Sequence, residues 1–190
     1  MGQYYKAVIL ADNKKTVKAW VYSHDIKYKF KRADGTEIEH GNGLKLMEHS
    51  YIRNEFVKAF ESLIKNKPQR VVWGGDYADL CKGLKTNIYD RCKDSNKVLP
   101  TDRPNTRETR YVVNHSKKEF VDKYKVAEIK DWKGAKIHPL PLLTCEGNSR
   151  GGGDFRGENK YIGTWARNVI SVESRKPQGY TEITPNFNED

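Results

Sequence analysis

Gln69-Arg70-Val71-Val72-Trp73-Gly74-Gly75-Asp76-Tyr77 is the stretch from which the rest of the chain is best read. Its first five residues are rich in β-branched and aromatic side chains, the composition of a short strand. Gly74-Gly75 reads as the turn out of that strand. Just upstream, Ser50 stands where it can cap a helix over residues 51–65. Ile52, Phe56, Ala59, Phe60, Leu63 and Ile64 recur there at helical spacing, with Arg53, Lys58 and Lys65 on other faces, and Pro68 ends the run.

Working outward, residues 3–11 and 16–23 alternate between two sets of side chains, with Asp12-Asn13-Lys14-Lys15 as a turn signal, so an N-terminal hairpin is expected. Residues 25–42 are charged and loop-like, with a small exposed hairpin around Asp34-Gly35. Residues 77–97 suit a helical or an irregular segment. A strand is expected over 110–114, a short helix from the capping-box pattern Ser116-Lys117-Lys118-Glu119 to Tyr124, and another strand over 126–132. Residues 161–172 read as one long strand or a strand pair. The expected fold is α+β: a single domain over residues 1–174 with a mainly antiparallel sheet and two or three helices, followed by a flexible tail over 175–190.

Composition narrows the function classes. The chain has 190 residues, 36% hydrophobic and 32% charged, with a formal net charge of +10. A basic surface favours phosphate-bearing partners, although it also serves plain solubility. No run approaches membrane-spanning length, so no membrane partner is expected. Cys81, Cys92 and Cys145 lack metal-ligand spacing and suit a reducing cytoplasm. Scattered lysines form no dense stripe, so nucleic acid is not specifically signalled. A homo-oligomer stays open.

A second motif lies near the C-terminus, Asn148-Ser149-Arg150-Gly151-Gly152-Gly153-Asp154-Phe155. Three glycines leave backbone amides free to turn toward an anion, with Arg150 and Arg156 beside them. A plain hairpin tip has the same composition. The pattern Gly-Gly-Asp-aromatic therefore occurs twice, at Gly74-Gly75-Asp76-Tyr77 and Gly152-Gly153-Asp154-Phe155. Asp76 and Asp154 suit contact with a ribose or base, or closure of their own turns. Tyr77, Trp165 and Arg167 join Asn148, Arg150, Gly151, Gly152, Gly153 and both aspartates as the candidate ligand-binding set, with rings to stack a base and cations for its phosphates. Neither a Walker loop, nor a dinucleotide fingerprint, nor a nucleophile elbow is present, and no cofactor or metal site is expected. If the protein is an enzyme, His49 and Asp76 are the candidate catalytic residues.

The opening Met1-Gly2-Gln3-Tyr4-Tyr5, the block Gly43-Leu44-Lys45-Leu46-Met47-Glu48-His49-Ser50, the block Trp73 to Asp79, the turn Gly151 to Phe155 and Gly163-Thr164-Trp165-Ala166-Arg167 resemble small proteins of bacteria and their phages. Residues 25–40 and 81–110 look like insertions relative to those blocks. Many small phage proteins act against host defences, some by sequestering nucleotide immune signals. The resemblance thus implies a sponge for a phosphate-bearing signalling nucleotide in the host cytoplasm. A phosphodiesterase or nucleotide hydrolase, and an inhibitor that binds a host defence protein directly, are the alternatives.

Overall fold

A computed structural model describes residues 3–130, 132–147, 155 and 160–188. Strands β1 (Tyr5–Leu10) and β2 (Val17–Tyr22) form the expected N-terminal hairpin. A small antiparallel ribbon, β3 (Tyr28–Lys31) and β4 (Glu37–His40), stands apart from the main sheet. Two helices follow, α1 (Leu46–His49) and α2 (Glu55–Ile64), and then the strand β5 (Gln69–Gly75). Strands β6 (Tyr111–Asn114) and β7 (Glu119–Asp122) make a second hairpin, and β8 (Glu128–Ile129) with β9 (Trp132–Lys136) a second ribbon. Helix α3 (Pro139–Thr144), β10 (Cys145–Glu146), β11 (Val169–Glu173) and β12 (Thr181–Glu182) complete the described elements.

The main sheet runs β12-β7-β6-β11-β5-β1-β2, with β10 also paired to β5. All its pairings are antiparallel except β10 with β5 and β12 with β7. The α+β class with a mainly antiparallel sheet is therefore the observed architecture.

Period-two alternation explains how the sheet is covered. Tyr5, Ala7 and Ile9 of β1, with Val71 and Trp73 of β5, face the larger core that α2 and α3 close. Val8, Leu10 and Val72 face the other way, against Trp20, Cys81 and Ile88. Residues 77–97 thus form a cover of the second sheet face, with a single 3-10 turn at Asp94–Asn96, rather than a helix. Their irregular path needs backbone partners: the Asn87 amide donates to the Asp76 carbonyl at 2.9 Å and the Trp20 indole to the Lys93 carbonyl at 2.7 Å.

Four further readings are corrected. Helix α2 begins one turn later than expected, because Asn54 caps it by accepting from Phe56 and Val57 amides at 3.0 and 3.2 Å. Ser50 instead ends α1, its hydroxyl donating to the Leu46 carbonyl at 2.6 Å. The run Ser116 to Glu119 is a hairpin turn and not a helix start: Asn114 accepts from Ser116 and Lys117 amides at 3.0 Å each. Lys118 carries the positive φ of that turn, +55°. Residues 161–168 are turns, and the long strand expected there shrinks to β11. The proline-punctuated run before Cys145 is the buried helix α3, with Pro139 in its first turn and His138 as its N-cap. The segment read as a tail supplies β12 and places Phe187 in the main core.

Candidate functional site

The residues singled out in the sequence divide into three groups. Asn148, Arg150, Gly151, Gly152, Gly153 and Asp154 lie outside the described residues, as does Arg156. Asp76 and Tyr77 stand at the end of β5. The Asp76 carboxylate accepts from the Tyr4 amide at 3.0 Å, and the Asp76 amide donates to the Tyr4 carbonyl at 3.0 Å, so the side chain fastens the N-terminus to β5. Tyr77 is half exposed. Trp165, expected as a stacking platform, is fully buried and donates to Glu119 at 2.9 Å, so no base can reach its face. Arg167, expected on phosphate, is largely committed within the protein: it pairs with Glu146 at 2.7 Å and donates to the Lys14 carbonyl at 2.9 Å.

The glycine pair is not a turn. Gly74 and Gly75 continue β5 and pair with Lys6 and Tyr5. A Cβ on Gly74 would collide with the Ile88 side chain, and one on Gly75 would lie 2.9 Å from the Gln3 amide oxygen. Their value is close approach across a crowded strand end. Glu146 of β10 pairs with Gly74, and Leu80, Gly147 and Arg167 line one cleft of about 450 Å³.

His49 is fully buried. Its Nε2 accepts from the Trp73 indole at 2.9 Å, which leaves the proton on Nδ1. Burial pushes its pKa down to about 3. A neutral, enclosed imidazole whose lone pair is already used does not meet the geometry of a general base. Among the described residues no group of three His, Cys, Asp or Glu side chains is placed to hold a metal ion.

A different arrangement has a surface suited to anions. A cleft of about 650 Å³ opens between the turn before α2, the loop before β6, the end of β7 and strand β9. Arg53, Arg107, Lys123 and Lys136 line it with Ile52, Tyr124 and small or neutral polar residues, and among the described residues no carboxylate does. Among the described residues the guanidinium groups of Arg53 and Arg107 form neither ion pairs nor hydrogen bonds. Lys136 donates to the Tyr124 carbonyl at 2.7 Å. The nearby Asp122 is spent elsewhere, held by Arg110 through two bonds of 2.7 and 3.0 Å, and Arg110 in turn stacks 4.7 Å from the Tyr124 ring centre.

The walls are fixed locally. Asn105 accepts from the Arg107 amide at 2.9 Å, which shapes the loop carrying Arg107. The Ile52 amide donates to the Lys136 carbonyl at 3.0 Å, joining the turn to β9. Arg53 occupies the third position of the turn Tyr51-Ile52-Arg53-Asn54, closed by Asn54 N–H to Tyr51 O at 3.0 Å, with φ at +82°. That conformation ordinarily calls for glycine.

Below the cleft lies a buried polar network. The Lys123 ammonium donates to Glu61 at 2.6 Å and to Thr109 at 2.9 Å. His138 Nδ1 accepts from the Leu140 amide at 3.1 Å, so its Nε2 carries a proton toward Glu61 at 3.0 Å. Thr109 donates to the other Glu61 oxygen at 2.9 Å. Burial alone would raise the Glu61 carboxyl, but Lys123 and His138 beside it hold it down at about 2. Every acceptor in this network is occupied, which suits a rigid floor.

The sequence reading missed this cleft because its cations are far apart in the chain and each alone resembles a solvated surface charge. The one local signal was a non-glycine residue in a turn position, and that is visible only once φ is known. Scans of the chain against protein-family models, curated proteins and solved structures return no match.

Proposed function

We propose that this protein binds a phosphate-bearing nucleotide in the cleft between Arg53, Arg107 and Lys136 and holds it without turnover. The observation that carries the reading is a nucleotide-sized cleft lined by Arg53, Arg107 and Lys136 and, among the described residues, by no carboxylate. Two guanidinium groups with no competing partner among the described residues can each form charge-assisted bonds to phosphate oxygens. The committed floor network and the enclosed His49 support retention over hydrolysis. The resemblance to small phage proteins makes a host signalling nucleotide the ligand class we put forward, with sequestration against host defence as the role.

Calorimetric titration with nucleoside triphosphates, cyclic dinucleotides and inorganic tripolyphosphate, at two salt concentrations, tests the proposal. Micromolar or tighter binding that weakens at higher salt and drops about ten-fold or more in Arg107→Ala is expected. Recovered ligand should be chemically unchanged. Absence of binding by every probe, or equal affinity in wild type and Arg107→Ala, overturns it.

A further inference from the structure

We propose that Trp132 is the platform on which the base of the bound nucleotide stacks, so that the cleft selects ligands carrying a nucleobase over bare polyphosphate. This inference rests on the reading of the basic cleft as a nucleotide site. The chain has four tryptophans. Trp20, Trp73 and Trp165 are buried, and each indole N–H has an acceptor: the Lys93 carbonyl, His49 and Glu119. Trp132 differs on both counts. It is 58% exposed, and among the described residues its indole N–H donates to nothing.

Its position gives that exposure a use. Trp132 opens β9, the strand that supplies Gly134 and Lys136 to the cleft. Its ring meets Tyr51 in a T-shaped contact, centroids 5.4 Å apart and planes at 60°. Tyr51 immediately precedes Ile52 and Arg53 of the cleft lining, so the indole packs on the residue next to that wall, where the Arg53 guanidinium has no ion pair among the described residues. One T-shaped contact engages at most one face of the indole, and most of the residue stays in contact with solvent. A large apolar ring left in water beside a cationic cleft matches the two halves of a nucleotide, a planar base and a charged phosphate chain.

The same tryptophan provides the readout. Iodide or a stacked base should quench Trp132 while the three enclosed indoles stay dark to it. Titration of wild type with the four ribonucleoside triphosphates, cyclic di-AMP and cyclic di-GMP should quench fluorescence, and tripolyphosphate should bind without that quench. Trp132→Ala should lose the quench and about ten-fold in nucleotide affinity, leave tripolyphosphate affinity unchanged, and recover most nucleotide affinity as Trp132→Phe. If nucleotides bind but Trp132→Ala binds them as tightly as wild type, the stacking inference falls and the cleft assignment stands. If tripolyphosphate binds and no nucleotide does, the stacking inference and the nucleotide assignment both fall, and the cleft is a bare polyphosphate site. If neither kind of probe binds, both readings fall together.

Discussion

The ammonium of Lys123 lies 2.6 Å from Oε1 of Glu61, and both side chains are withdrawn from solvent beneath the basic cleft. Such a pair is poor evidence of net stabilisation, because desolvating two charges offsets their attraction. Breaking it is costly, because one buried charge is left uncompensated. Lys123→Met should therefore destabilise the fold by about 3–5 kcal/mol in urea titration. The double variant Glu61→Gln/Lys123→Met should recover most of that loss, since no buried net charge remains. A single variant as stable as wild type would show that the pair is not ionised in the native state.

Acid stability follows from the enclosed histidine. The folded pKa of His49, about 3, is depressed below its ordinary 6.5. The unfolded chain therefore binds the extra proton between those values. The contribution is fully present above pH 6.5 and is lost as pH falls from 6.5 through about 3. Burial also lowers His138, and Glu61 at about 2 against an ordinary 4.5 loses stability in the same direction at lower pH. Stability should fall on acidification below pH 6.5 with a slope of up to about 1.4 kcal/mol per pH unit from His49 alone. His49→Gln, which does not titrate, should flatten that segment of the profile. An unchanged slope would sink this account of His49.

The glycine pair of β5 makes a further prediction about packing. Gly74→Ala places a methyl group against Ile88, whose side chain is fully buried and cannot swing away. A loss of about 1–3 kcal/mol is expected on chemical unfolding. A shortened residue at position 88 should relieve it, so Ile88→Ala should be less harmful in the Gly74→Ala background than alone. Additive losses would mean that the two sites do not touch.

Helix α2 separates two cap candidates. Asn54→Ala removes the acceptor for two amides and should cost about 1 kcal/mol, whereas Ser50 contributes nothing to that helix start. The pair also shows why some features were legible and others were not. Strand β1 was readable because both of its faces are buried in different cores, which leaves a nearly continuous apolar run in the residues. Cap residues were not, since Ser50 and Asn54 are both good cap types and only the short α1 between Leu46 and His49 decides between them. Ser116 to Glu119 failed in the same way, a capping-box pattern that Asn114 turns into a hairpin. The basic cleft left no periodic trace, because Arg53, Arg107 and Lys136 meet only through tertiary packing.

Arg53 offers a test in which stability and binding should move in opposite directions. It holds φ at +82° in a turn position that glycine fills without strain, and an L-residue there costs roughly 1–2 kcal/mol. Among the described residues its guanidinium makes no contact that would offset this cost within the protein. Lys14, Asn66, Lys118 and Arg167 also hold positive φ, so the conformation alone marks no site; what sets Arg53 apart is its place on the cleft wall, where its side chain can meet a ligand. Arg53→Gly should therefore leave stability unchanged or raise it by a few tenths to about 1 kcal/mol in thermal or urea unfolding. The same substitution should weaken tripolyphosphate binding by about ten-fold, while Arg53→Lys, which keeps the charge and the strained backbone, should lose less. Arg53→Ala, strained and uncharged, should bind as weakly as Arg53→Gly without its gain in stability. If Arg53→Gly is destabilised as much as Arg53→Ala, the guanidinium has a structural partner. If Arg53→Gly binds like wild type, Arg53 has no part in the cleft's chemistry.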